Sequence, residues 1–248
     1  MLKISIITIT YNSEDTIEQT LQSVIEQSYP NIEYIVVDGK SNDNTLKILE
    51  TYKSHIQVLL SEKDSGLYDA LNKGIALASG DVIGFLHSDD FYVNNAVIQK
   101  YADTFLAGDY DAVYSDLFYV DKTDSNKIIR KWKSGLYKKG MFLNGWMPPH
   151  PTFFVKKKVY EAYGHFNLDF KTAADYELML RFIHKHRIRL GYLPEFTVNM
   201  RVGGKSNVSL KNRIIANLED RRAWKINGLT PRFYTLYVKP LRKILQFF

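Results

Sequence analysis

Apolar residues in the first half of the chain switch repeatedly between short continuous runs and stripes at helical spacing, which predicts strand and helix in alternation. Residues 3–10 read as a first strand. Ser13 is placed to cap a helix with Glu14 and Asp15 in its first turn and Ile17, Leu21, Val24 and Ile25 on one face, and Pro30 ends it. Residues 32–37 form a second strand ending at Asp38, and Ser41 caps a helix running through Leu46, Ile48, Leu49 and Tyr52. A third strand covers 56–60. After the Asp64-Ser65-Gly66 turn a helix covers 67–79, with Gly80 as its C-cap and a fourth strand over 81–86.

The second half is less regular. Strands are expected over 111–120 and 127–133, around a turn at Asp121-Lys122-Thr123-Asp124. Met147-Pro148-Pro149-His150-Pro151 is a stiff loop leading into a strand at 152–155. Helices follow over 156–163 and 174–186, the latter with Tyr176, Leu178, Met179, Phe182 and Ile183 apolar.

Strand-helix alternation of this kind implies an α/β fold, a mostly parallel Rossmann-like sheet flanked by helices, because right-handed crossovers require it. Ligands in such sheets bind beyond the strand C-termini. That rule gathers three polar clusters on one rim: Thr10-Tyr11-Asn12, Asp38-Gly39 and Ser88-Asp89-Asp90. Two adjacent carboxylates at a strand end repel each other and lose hydration, so a positive group is expected opposite them. A hard divalent cation with a bound phosphate meets that need. The pair alone leaves open a second reading, in which one aspartate caps a helix starting near Asn94 and the other faces water.

At 248 residues the chain is one large domain, or one domain with an appendage, and it has no cysteine. The latter excludes a disulfide framework or thiolate metal site and points to a reducing compartment. The first ten residues read as a strand rather than a signal peptide, and no run of 18 apolar residues occurs. Charge is uneven: residues 201–248 carry eleven Lys or Arg against Glu219 and Asp220, a net of +9, which leaves the first 200 residues at −3. A basic tail on a mildly acidic body points to a local anionic partner rather than to nucleic acid.

Five ordered segments resemble family 2 glycosyltransferases of the GT-A fold, over roughly residues 1–200. They are the 4–12 strand with its Thr10-Tyr11-Asn12 end; Val36-Val37-Asp38-Gly39 with Ser41 and Asp43; Asp64-Ser65-Gly66-Leu67-Tyr68-Asp69-Ala70-Leu71-Asn72-Lys73-Gly74; Ala78-Ser79-Gly80-Asp81; and Ser88-Asp89-Asp90. The resemblance is strongest to non-processive bacterial enzymes of O-antigen and exopolysaccharide assembly. It implies a catalytic domain over 1–205, with a nucleotide-sugar half (1–110) and an acceptor half (111–205), and a basic helical extension over 206–248.

The same resemblance implies roles for individual residues. Thr10, Tyr11, Asn12 and Asp38 would hold the base and ribose of a nucleotide sugar, most simply a UDP-sugar; the residues alone leave Asp38 equally able to cap its own turn. Asp69, Asn72, Lys73 and Ser88 would lie near the donor. Asp90 would ligate Mg2+ or Mn2+ bridging the diphosphate, and Asp89 would contact ribose, metal or metal-bound water. His87 stands where many relatives have Asp or Asn, leaving it open between a metal role and a rim histidine. Asp175 would be the general base that deprotonates the acceptor hydroxyl, against the simpler role of an N-terminal helix carboxylate. His150 would line the acceptor site, and Trp146 and Trp132 would stack on sugar rings, against core packing as the default for Trp. The Gln-x-x-Arg-Trp signature of processive synthases is absent; Arg221-Arg222-Ala223-Trp224 imitates only its end, so a single transfer is expected.

The tail reads as a helix from Ser209 with Arg213, Arg221, Arg222 and Lys225, and a last amphipathic segment with Leu241, Ile244, Leu245 and Phe248 opposite Arg242 and Lys243. Such a segment fits an anionic membrane interface, as an acceptor sugar on a polyprenyl diphosphate would require. The alternative is a helix docked on the domain or on a second subunit of a homodimer. The expected location is cytoplasmic, peripheral on the inner face of the plasma membrane. Competing functions are a nucleotidyltransferase, which lacks its Gly-rich phosphate loop here, and a catalytically inactive basic binding module.

Overall fold

The computed structural model describes residues 1–203 and 210–242. In the first half the elements are β1 (Ile4–Thr10), α1 (Ile17–Ile25), β2 (Ile32–Asp38), α2 (Thr45–Thr51), β3 (Val58–Ser61), α3 (Leu67–Leu77) and β4 (Val82–Phe85). Then come β5 (Asp90–Tyr92), α4 (Val97–Ala107), β6 (Ala112–Val120), β7 (Ile128–Trp132), β8 (Phe154–Lys156), α5 (Lys157–Tyr163), α6 (Ala174–Met179), β9 (Leu190–Arg201), α7 (Leu210–Ile226) and α8 (Thr235–Arg242).

One sheet runs β3-β2-β1-β4-β8-β6-β9-β5, with β7 on β6. Its first four strands are all parallel, whereas β8 lies antiparallel between β4 and β6, and β5 antiparallel on β9. Both faces of the parallel half are covered, as its sequence requires. Ile4, Ile6, Tyr34 and Val36 face one apolar layer, while Ile7, Ile9, Ile35 and Val37 face the other. Register aligns the strand ends: Thr10 lies beside Asp38, and Asp38 beside Ser61. That alignment makes the rim.

Several expected boundaries move, each for a local reason. Ser13 does not cap α1: its carbonyl accepts the Thr16 and Ile17 amides and its hydroxyl pairs with Ser88 Oγ at 2.9 Å, so the helix starts four residues later with Glu18 as its first-turn acid. Nor does Ser41 cap α2; its hydroxyl is spent on Asp38, and Asp43 Oδ1 accepts the Thr45 amide instead. α3 ends at Leu77, and Gly80 serves a close approach rather than a C-cap, since a Cβ there would lie 2.8 Å from Ser5 N. The His150 segment is a 3-10 turn over His150–Thr152, so its strand begins at Phe154. Asp90 is a strand residue, paired with Met200 of β9, not a helix cap.

The described part of the tail packs on the body. Trp224, Ala223 and Leu236 are buried; Trp224 Nε1 donates to Tyr176 Oη at 2.8 Å and Asn227 Nδ2 to Glu177 Oε1 at 2.9 Å. Lys239 binds Asp220 Oδ2 at 2.6 Å and sits 3.5 Å from the Tyr176 ring centroid. Ser209, Lys243, Ile244, Leu245 and Phe248 lie outside the described residues, as do the side chains of Arg213 and Leu241.

Candidate active site

The three polar clusters meet. Gly39 N donates to Thr10 O at 2.9 Å, Asn12 N to Ser41 Oγ at 2.9 Å, and Asn42 N to Asn12 Oδ1 at 2.9 Å. Asn12 takes a left-handed conformation (φ 50°), which asparagine tolerates and which turns the chain out of β1. Ser13 ties this corner to Ser88. Gly39 leaves a cradle between Tyr11 and Asp64: a Cβ there would stand 2.5 Å from Asp64 Oδ2 and 3.4 Å from Tyr11 Cδ2. Tyr11 is half exposed beside this cradle and presents an aromatic surface to it.

Asp38 is engaged by its own turn. It is fully buried, and its oxygens accept the Ser41 amide, Ser41 Oγ at 2.5 Å and Ser61 Oγ at 2.6 Å, so in this state it holds the β2 turn together. The polar α3 residues are also engaged within the protein. Asn72 uses both ends of its amide on the backbone of Phe166, at 2.9 and 3.0 Å. Lys73 is engaged by Glu62 at 2.8 Å, Asp69 at 3.5 Å and the Lys63 carbonyl, and Asp69 also accepts the Ser65 amide. Trp146 is a core residue: it is 3% exposed, donates to Ser134 O at 2.9 Å, and has no face open for a sugar. Trp132 lies parallel to Tyr119.

The acid pair has split duties. Asp90 is buried; Oδ1 accepts the Arg201 amide at 3.3 Å, while Oδ2 is buried without a hydrogen-bond partner. Burial, then the neighbouring Asp89 charge, push the Asp90 carboxyl well above the usual carboxylate range, against the pull of Arg201. Arg201 is the positive group that the pair calls for. Its guanidinium binds Asp89 O at 2.5 Å and Gln19 Oε1, and lies 5.0 Å from the Phe91 ring centroid. The buried, unpartnered Asp90 oxygen beside Asp89 fits a hard divalent cation. Among the described residues no three His, Cys, Asp or Glu side chains form a metal cage, so such an ion would take its other oxygens from phosphate and water.

A chain of polar groups joins this turn to Asp175. His87 Nε2 and His150 Nε2 are 3.2 Å apart, His150 Nδ1 is 3.7 Å from Asp175 Oδ2, and Tyr68 Oη donates to Asp175 Oδ1 at 3.2 Å. Burial, followed by the neighbouring His150, holds His87 down to about 3, and burial also lowers His150 despite the carboxylates of Asp175 and Asp89. Both rings are therefore neutral at pH 7, and the tautomers follow from their partners. His150 points Nδ1–H at Asp175 and accepts at Nε2 from His87 Nε2–H. His87 is left with Nδ1, which is buried, so it serves the histidine pair rather than open solvent.

Arg201, Tyr68 and Glu219 contribute to this region without having been singled out from sequence. Glu219, on α7, accepts the amides of Lys171, Thr172 and Ala173 at 2.8, 2.8 and 2.9 Å, and so fixes the segment that opens α6 and its Asp175. The demand for a cation opposite Asp89-Asp90 was the one signal that could have pointed to Arg201.

Comparison with known proteins establishes the family and the fold. The model of "Glycosyl transferase family 2" matches residues 5–164. An uncharacterized glycosyltransferase of Mycobacterium tuberculosis is 36% identical over 182 residues, covering 72% of this chain and 68% of that protein. The Escherichia coli UDP-Glc:alpha-D-GlcNAc-diphosphoundecaprenol beta-1,3-glucosyltransferase WfgD is 38% identical over 117 residues, 44% of this chain and 46% of its own. Among solved structures, S. aureus TarS 1-349 with UDP-GlcNAc superposes with a TM-score of 0.69 at 18% identity, covering 92% of this chain and 66% of TarS 1-349. Mannosyltransferase PcManGT from Pyrobaculum calidifontis, in complex with GDP-Man and Mn2+, gives 0.66 at 19% identity, over 98% of this chain and 70% of that one. The sheet is thus of the GT-A kind, and the chain belongs to glycosyl transferase family 2, a glycosyltransferase.

Proposed function

We propose that the protein transfers one sugar, with inversion, from a UDP-sugar to a saccharide acceptor carried on a lipid diphosphate. The observation that carries this reading is the approach of Asp175 to the acid-pair turn through His150 and His87, at 3.7 and 3.2 Å. In this reading the Tyr11 face and the Gly39 cradle receive the base and ribose, and Asp89 and Asp90 would hold Mg2+ or Mn2+, which would supply positive charge to offset that on the departing diphosphate. Asp175 accepts the proton of the acceptor hydroxyl, whose oxygen attacks the anomeric carbon from the side opposite the diphosphate. Direct displacement from that side inverts the carbon. His150, held neutral by burial, faces Asp175 without adding a positive charge that would compete for its proton-accepting role. The UDP-sugar and the lipid-diphosphate acceptor are supported by the names of TarS and WfgD ligands, and the metal by that of PcManGT.

The tail completes the proposal. No helix among the described residues is long and apolar enough to cross a membrane. Phe233 and Tyr237 are 90% and 64% exposed among basic residues of the tail, which supports contact with an anionic membrane surface where a lipid-linked acceptor resides. The test is a thermal-shift screen of UDP-glucose, UDP-galactose and UDP-GlcNAc with and without Mn2+. A metal-dependent rise in melting temperature with at least one of them is expected, and no response to any would overturn the reading.

A further inference from the structure

We infer that Tyr68 is the positioning residue of Asp175, fixing one carboxylate oxygen so that the other faces the acceptor; the inference rests on Asp175 being the base. Oδ1 of Asp175 accepts from Tyr68 Oη at 3.2 Å, whereas Oδ2 is the oxygen turned toward His150, at 3.7 Å and beyond hydrogen-bond length. The start of α6 has no capping side chain of its own, since Ala173 at its N-cap makes no side-chain hydrogen bond. Burial, with the adjacent Asp175 charge, raises the phenol well above its ordinary value, so it remains a donor at every working pH.

The hydroxyl is itself held by a brace from the same helix. Tyr68 and Asn72 stand four residues apart and share one face of α3. Asn72 clamps both backbone groups of Phe166, and the Phe166 ring stacks on Tyr68 with centroids 5.6 Å apart. Phe166 also meets Phe85, the last residue of β4, edge-on at 5.7 Å. Within the Tyr68-Asp69-Ala70-Leu71-Asn72 stretch, Tyr68 thus reaches Asp175 directly and Asn72 supports it through Phe166. A carboxylate in the first turn of a helix with no cap of its own would otherwise sample rotamers that carry Oδ2 away from the reacting hydroxyl.

The experiment compares Tyr68→Phe, Asp175→Asn and the double variant, after circular dichroism has shown each folded. Turnover is read as UDP release, with water in place of the acceptor, from whichever of UDP-glucose, UDP-galactose and UDP-GlcNAc reacts fastest with Mn2+. Tyr68→Phe keeps the Phe166 stack and removes only the hydroxyl. We expect kcat to fall about 10- to 100-fold with donor KM changed less than about twofold, and the double variant to be no slower than Asp175→Asn. Near-normal kcat in Tyr68→Phe beside an inactive Asp175→Asn overturns the positioning role and leaves the base assignment standing. So do losses that multiply in the double variant, because Tyr68 would then act independently of Asp175. Near-normal turnover in Asp175→Asn, or no UDP release from any donor, overturns the base reading and this inference with it.

Discussion

Glu219→Gln tests whether the C-terminal helix is part of the active-site framework. In the native chain Glu219 Oε2 accepts the Thr172 and Ala173 amides and Thr172 Oγ1, and Oε1 accepts the Lys171 amide. An amide of the same shape keeps one acceptor oxygen and turns an NH2 toward a donor. One charge-assisted bond is lost outright and the others weaken to neutral strength. Counting about 1.5–3 kcal/mol for a bond to a charged group, discounted because Glu219 is partly exposed and water can replace it, gives a loss of about 2 kcal/mol. Burial pushes the Glu219 carboxyl up, but the hydrogen bonds from Lys171, Thr172 and Ala173 outweigh it and hold it below the ordinary value. A depressed carboxylate stabilises the fold above the unfolded pKa of about 4.3 and loses that contribution as pH falls through the folded one. Urea denaturation of wild type and Glu219→Gln should therefore differ most at pH 6–8 by about 2 kcal/mol and converge in acid below about pH 4. A difference under about 0.5 kcal/mol at pH 7, or one that persists unchanged in acid, would refute the clamp.

Three further outcomes follow from the same geometry. Asp90→Asn should raise the melting temperature of the metal-free protein at pH 8, because a buried acid whose pKa is raised destabilises the fold as pH climbs above its unfolded value; differential scanning calorimetry should also show the Mn2+ response lost. Gly84→Ala places a Cβ 2.6 Å from Phe154 Cζ in the sheet interior, and the overpacking should cost about 1–3 kcal/mol in chemical denaturation. Replacing Phe233 and Tyr237 together by Ser should leave the melting temperature unchanged, since both are exposed, and reduce sedimentation with anionic vesicles; equal sedimentation removes the membrane contact.

What could be read in the sequence was set by short-range pattern. β1 and β2 were legible because both their faces are buried and their apolar runs end at Thr10 and Asp38, which register then brings side by side. Asp90 was harder. Its strand exists only through Met200, on a segment far along the chain, so no local signal separates it from a helix cap. Capping serines misled for two reasons: the Ser13 hydroxyl finds Ser88, 75 residues on, across the rim, whereas the Ser41 hydroxyl is taken by Asp38, three residues back in its own turn. The α3 segment was assigned to the donor by resemblance, and only the fold reveals that Asn72 is spent on Phe166, 94 residues away. Arg201 and Glu219 are invisible to pattern for the same cause, since each serves backbone or carboxylates 111 and 46 residues distant.

Asp175→Asn addresses the central claim most directly, because the amide keeps the side chain's size and the Tyr68 hydrogen bond while removing the ability to take a proton. Binding of UDP with Mn2+ by calorimetry should match wild type, and UDP release from the best UDP-sugar should fall by about 100-fold or more. Turnover near the wild-type rate with UDP binding intact would contradict the account, and the proton would have to leave through another group.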